Sequence, residues 1–223
     1  MSAFVVAIDG PAAAGKGTLA RRLAEKFALA HLDTGKLYRA TALRVLEAGG
    51  DPADPEAAVA AARRVDPATL ADPLLLSEAV ARASSIVSAI PAVREALLAM
   101  QRDFAARPPA LADNIAARGA VLDGRDIGTA VCPDAAVKLF VTASPEARAS
   151  RRHKELRERG AASIYRHVLE DMKERDARDS ERRVAPLAAA PDAVIIDTTG
   201  LDADQALEQA SKLIVRALAA RRE

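Results

Sequence analysis

Apolar positions along this chain follow two periods. Five short runs are continuously apolar: FVVAID (4–9), LAHLD (29–33), AVLD (120–123), VKLFVTA (137–143) and AVIID (193–197). Runs that do not alternate predict strands covered on both faces. Between them apolar residues recur every three or four positions, the period of an amphipathic helix. Leu19, Leu23 and Phe27 make one such stripe. A later helix has its ends written out: Ser144 as N-cap, Pro145 at the first helical position, Glu146 in the first turn and Gly160 where it stops. Strands separated by helices predict βα units, a parallel sheet and an α/β fold.

Two segments are too long to be simple connections. Residues 35–119 read as mostly helical, punctuated by Pro52, Pro55, Pro67 and Pro73, with Pro91 dividing two helical patterns. They predict a lobe beside the sheet. Residues 148–183 form a second excursion, densely charged and rich in arginine. The core is then residues 1–34, 120–147 and 184–223 of one domain. The alanine-rich stretches 57–62 and 185–190 read as ordinary helix or loop.

Composition narrows the function classes. A formal charge of +1 over 223 residues argues against a sequence-independent polyanion binder. Cys132 is the only cysteine, so no intrachain disulfide forms, and it reads as a small buried side chain beside Pro133. His31, His153 and His167 are scattered without metal-ligand spacing, and no residue is assigned to a resident metal. No apolar run approaches the roughly 20 residues of a bilayer span. The start, MSA, passes straight into the first strand and leaves no room for a signal peptide. These features predict a cytoplasmic protein with no membrane or nucleic-acid partner.

The candidate chemistry starts at DGPAAAGKGT (9–18), where Gly10, Gly15 and Gly17 surround Lys16 between a strand and a helix. Strand, glycine loop and helix N-terminus form a phosphate cradle, with backbone N–H groups and the helix dipole facing the anion. Lys16 adds a point charge. The strict loop pattern sets Ser or Thr directly after the lysine to meet Mg²⁺. Here Gly17 intervenes and the hydroxyl belongs to Thr18, so direct metal ligation by Thr18 is not predicted.

Three further stretches carry chemistry. LDTGKLYR (32–39) ends a strand in a helix N-terminus and offers Arg39 one turn inside. LDGRDIGT (122–129) sets Arg125 and Asp126 beyond the carboxyl end of a strand, where ligands of open parallel sheets bind. KERDARDSERRVAPL (173–187) puts Arg175, Asp179 and Arg182 at i, i+4 and i+7 of one helix face. On helix evidence alone these three are solvated pairs of small energetic worth. Arg148, Arg151 and Arg152 likewise read as a wet face unless a phosphate ligand draws them in.

Together with IPAVREALLAMQRDF (90–104) and LDGRDIGTAVCPDA (122–135), these motifs closely resemble the bacterial cytidylate kinases, in order along nearly the entire chain. The resemblance implies phosphoryl transfer from ATP with Mg²⁺ to CMP or dCMP by a P-loop nucleoside monophosphate kinase. It also implies a five-stranded parallel sheet with an acceptor lobe and a mobile lid, which suit residues 35–119 and 148–183. Carried over by position, ATP phosphates would lie on Gly10, Pro11, Ala12, Ala13, Ala14, Gly15, Lys16, Gly17 and Thr18, with Arg151 approaching ATP from the lid. Thr34 and Arg39 would hold the CMP phosphate. Ser85, Arg94 and Asp126 would surround the cytosine, with Arg125 close by. Arg175, Asp179 and Arg182 would reach the ribose and the phosphates in flight. The catalytic charges would be Lys16, Arg125, Arg175 and Arg182, in a monomer.

The chain departs from many family members in its lobe. RRVDPATLADPLLLS (63–77) is too short, and lacks the alternation, for their small β-rich insert, whereas PPALADNIAARG (108–119) is longer than expected. Rival readings are another small-molecule kinase of adenylate or shikimate type, or a nucleotide-dependent switch. GRDIGT argues against the first, and the absence of a guanine-reading NKxD against a GTP switch. A further alternative gives Asp126 only a salt bridge that orients Arg125.

Overall fold

The computed structural model describes residues 3–221, so positions 1, 2, 222 and 223 of the predicted core, and the start of the MSA leader reading, lie outside the described residues. The five predicted runs all form strands, with ends matching to within a residue: β1 Phe4–Asp9, β2 Ala30–Asp33, β3 Gly119–Gly124, β4 Val137–Thr142 and β5 Val194–Asp197. They make one sheet in the order β2-β3-β1-β4-β5, every neighbouring pair parallel. All five strands therefore point their carboxyl ends at the same edge.

Side-chain alternation along β1 splits the core into two layers. Val6 and Ile8 pack with Leu19 and Leu23 of α1 (Lys16–Phe27) and Ile214 of α8 (Ala203–Ala220). Ala7 faces the other way, toward Leu37 of α2 (Thr34–Glu47) and Leu97 of α5 (Pro91–Ala106). Each fully buried leucine or isoleucine in these layers is worth about 1.5–3 kcal/mol. The fifth run departs from expectation. It lies at the sheet edge, so Val194 and Ile195 are exposed and only Ile196 is buried.

The predicted lobe is helical. α2 packs on α3 (Pro55–Ala62) and α4 (Glu78–Val87), and α3 packs on α5. Where the family's β-rich insert was expected to be missing, the chain makes two 3-10 turns, Pro67–Ala71 and Pro73–Leu76. The second excursion is a pair of packed helices, α6 (Pro145–Glu158) and α7 (Tyr165–Glu181). Ser144 caps α6 by accepting from the Ala147 N–H at 3.2 Å, and Gly160 follows its end at φ +74°, as the sequence predicts. Ala149, Leu156, Val168 and Met172 join α6 to α7 and rest on Ala12 and Ala13.

Candidate active site

At the carboxyl edge of the sheet lies a cleft of about 560 Å³ between the loop after β1, α2, α4 and α7. One end is the predicted cradle. Gly10 sits at φ +147°, and a Cβ there would lie 1.9 Å from the Val141 carbonyl oxygen, so glycine alone lets the chain leave β1 beside β4. Gly15, at φ +91°, opens α1. The loop floor is fixed from below: the Thr198 hydroxyl donates to the Ala14 carbonyl at 2.9 Å.

Lys16 is half-buried and donates to the Pro11 carbonyl at 3.3 Å. Withdrawal from water, and then the nearby Arg125, push its pKa down to about 7, against the pull of Asp123 and Asp33. Those two carboxylates stand side by side at the ends of adjacent strands, in register. Burial and the neighbouring Asp123 raise the pKa of Asp33. His31 bonds Asp123 at 2.8 Å, and Asp123 comes within 3.7 Å of where a Gly17 side chain would begin.

The other end is a cage of arginines. Arg94, on α5, donates to Asp126 at 2.5 Å and to the Ser88 carbonyl at 3.2 Å, with its guanidinium over the Tyr38 ring. Arg125 donates to Asp179 at 2.8 Å. Burial opposes the charge on Asp179, yet Arg125, Arg175 and Arg182 outweigh it and hold its carboxyl below the usual range. Arg175 is half-buried with its Nε unpartnered, and burial followed by the charge of Arg125 lowers its pKa to about 10. Arg39 donates to the Leu75 carbonyl at 2.7 Å, and the Thr34 hydroxyl donates to the Asp123 carbonyl at 2.8 Å. Every acceptor-side residue named from the sequence lines this one cleft.

A model of the family described as cytidylate kinase matches residues 6–216. The chain belongs to the cytidylate kinase family. It is 59% identical to the cytidylate kinase of Rhodospirillum rubrum, over 95% of this chain and 97% of that one. It is 57% identical to that of Paramagnetospirillum magneticum, over 94% and 97%. Among solved structures, an uncharacterized protein from Eubacterium ventriosum superposes with a TM-score of 0.52 at 14% identity, covering 95% of this chain and 98% of that one. That likeness concerns the fold alone.

Several details of this cytidylate kinase family member add to the sequence reading or correct it. Arg148 is buried, not wet: it bonds Asp176 at 2.6 Å, the Ala143 carbonyl at 3.0 Å and the Ala12 carbonyl at 3.3 Å, so it ties α6 and α7 to the cradle. Arg152 pairs with Glu78 and Glu155. Arg151 bonds the Thr198 hydroxyl at 2.9 Å and its carbonyl, and so lies against the floor of the cradle. Arg182 does not share the helix face, because α7 ends at Glu181; it donates instead to the Ala185 carbonyl at 3.0 Å. Asp126 pairs with Arg94 rather than Arg125. Ser85 accepts from Arg178 at 3.2 Å. Cys132 is only partly buried.

Other residues of the site escaped the sequence reading. Asp33 and Asp123 carried a usable signal, since each closes a strand at the ligand-binding edge. Tyr38 and Arg178 carried none beyond helical spacing; their roles arise from elements distant in sequence.

Proposed function

We propose that this protein transfers the γ-phosphoryl group of ATP to CMP, and to dCMP, giving ADP and CDP or dCDP. The observation that carries the reading is the Arg94–Asp126 pair, buried on the same cleft as Lys16. Oδ2 of Asp126 takes the arginine, while among the described residues its Oδ1 accepts no hydrogen bond. A carboxylate oxygen facing a base accepts from the cytosine 4-amine and meets an unfavourable carbonyl on uracil.

Gly10 through Thr18 then hold the donor phosphates by main-chain N–H groups and Lys16, with Arg151 supporting the loop beneath them. Thr34 and Arg39 hold the acceptor phosphate, Ser85 and Arg94 frame the base, and Asp179 reaches the ribose. An oxygen of the CMP phosphate attacks the γ-phosphorus as the bond to the ADP oxygen breaks, so the protein's task is placement and charge neutralisation. Arg125, Arg175 and Arg182 converge where that charge accumulates. The residues present also fit Mg²⁺. Asp33 and Asp123 make a mutually repelling carboxylate pair beside Lys16, and Mg²⁺ is commonly held by one or two carboxylates with substrate phosphates. When bound with ATP, the ion supplies neutralising charge to the phosphates.

α6 and α7 make the lid of this reading, joined to α4 of the acceptor lobe by Arg152–Glu78 and Arg178–Ser85. The substrates are small molecules handled by a cytoplasmic monomer, without nucleic acid or membrane. The near-neutral charge supports this, and among the described residues no single helix is long and apolar enough to cross a bilayer.

A coupled assay with ATP and Mg²⁺ against CMP, dCMP, UMP, AMP and shikimate tests the reading, with turnover expected on the first two. Binding of nucleotide without turnover on any acceptor would favour the switch instead. Asp126→Asn should narrow the CMP:UMP ratio of kcat/KM by about ten- to a hundredfold, because an amide can turn either end toward the base. An unchanged ratio would remove Asp126 from base reading.

A further inference from the structure

Asp9 is the last residue of β1, buried and outside the cleft. Both of its carboxylate oxygens accept main-chain hydrogen bonds from a distant segment: Oδ1 from the Ile127 N–H and Oδ2 from the Gly128 N–H, each at 2.7 Å. Those donors are the first free amides of a π-helical turn, Ile127–Val131, whose cap residue is Asp126. The Asp126 carbonyl accepts from Ala130 at 2.9 Å and Val131 at 3.2 Å, so the turn proper begins there. An aspartate at a helical cap ordinarily spends its own side chain on the amides two and three residues ahead. Asp126 makes no such bond; its carboxylate is on Arg94. A side chain at position 128 would crowd Lys138 at 3.2 Å and stand 3.4 Å from the Asp9 carboxylate, so the glycine leaves room for the contact.

We infer that Asp9 is a positioning residue that caps this turn from another strand and thereby frees the Asp126 carboxylate to face the acceptor base. The capping demand of the turn is constant, and two buried amides left unpaired are costly. Once Asp9 meets that demand, the adjacent carboxylate has no reason to fold back on its own chain and can extend to Arg94. The same contact ties the turn bearing Arg125 and Asp126 to the residue preceding Gly10, so the donor cradle and the base site share one support. The functional consequence rests on the base-reading role proposed for Asp126; the geometric consequence does not.

Asp9→Ala removes both acceptors, and Asp9→Asn keeps one oxygen while turning an amide against the second N–H. In crystals of either variant, the Asp126 carboxylate should leave Arg94 and turn back to the Gly128 amide, two residues ahead of it. The CMP:UMP ratio of kcat/KM should narrow about tenfold in Asp9→Ala and by a smaller factor in Asp9→Asn, with a raised KM for CMP. Combining Asp9→Ala with Asp126→Asn should narrow the ratio no further than the larger single effect, since both act through one carboxylate. Should Asp126 stay on Arg94 in these crystals, the inference is overturned, whatever the kinetics. It is equally overturned if Asp126→Asn moves the ratio while Asp9→Ala lowers activity on both nucleotides alike, since that is the signature of lost packing. A ratio unmoved by Asp126→Asn, with Asp126 turned back in Asp9→Ala, would instead refute base reading and leave the capping role standing. If Asp9→Ala does not fold, Asp9→Asn decides through the same two readouts.

Discussion

The two ends of the cleft gather positive charge by opposite means. The cradle is one contiguous loop, Gly10 to Thr18, that presents main-chain donors and a single cation, Lys16, itself weakened by burial. The acceptor end draws side chains from α2, α5, the turn after β3, α7 and the segment beyond α7, most of them guanidiniums. Backbone donors carry no net charge and repel one another little, so a loop can assemble them unaided. Clustered guanidiniums repel, and this cage stands because carboxylates are set among them: Asp126 against Arg94, and Asp179 against Arg125 with Arg182 nearby at 3.8 Å. A site made of main chain is local. A site made of like charges is a property of the tertiary fold.

The largest test of this contrast removes a carboxylate from the cage. Asp179→Ala leaves Arg125, Arg175 and Arg182 facing one another in a buried site, and losing one partner of such a pair costs on the order of 3–5 kcal/mol. Urea unfolding should show a loss of about that size, partly recovered when CMP supplies an anion. A variant as stable as the parent would mean that water, not Asp179, separates the arginines.

Next in size is the cradle. Lys16→Met should lower turnover by about a hundredfold or more, the scale for removing one preorganised charge-stabilising donor. Its melting temperature should stay near that of the parent, because a desolvated loop lysine contributes little to the core. Near-normal kcat in a well-folded variant would show that the main-chain donors suffice without the lysine.

The smallest effect is a proton linkage. With its pKa near 7 in the free protein, Lys16 is largely neutral at pH 8, and bound phosphates should return it toward its ordinary value of 10.5. ATP binding should then take up close to one proton at pH 8, and affinity should fall by up to about tenfold for each pH unit above 7. Calorimetry in two buffers of different ionisation enthalpy reads the uptake directly. Binding that releases or takes up no proton at pH 8 would mean that Lys16 is already charged.

The difference between the two ends also explains what was legible in advance. The cradle could be read from ten consecutive letters because glycines at forced backbone angles, a lysine and a helix start are local features, and the strands could be read from their unbroken apolar runs. Family resemblance named the acceptor residues, and the structure places all of them on the cleft. Their pairing was not legible. Arg182 follows the end of α7 instead of sharing its face, Asp126 chooses Arg94 over its neighbour Arg125, and Arg148 is a buried tie rather than a wet side chain.

By itself, then, the amino-acid order determined the five strands, the helical excursions, the phosphate loop and the chemistry available at each strand end, since these depend on neighbours a few residues away. Only the tertiary structure decided which arginine meets which carboxylate, that β5 is an edge, and that Asp9 caps a turn 118 residues further along the chain. The charge pairings are contests among several equally suitable partners. Burial settles them, because a charge withdrawn from water must take the partner that packing sets beside it.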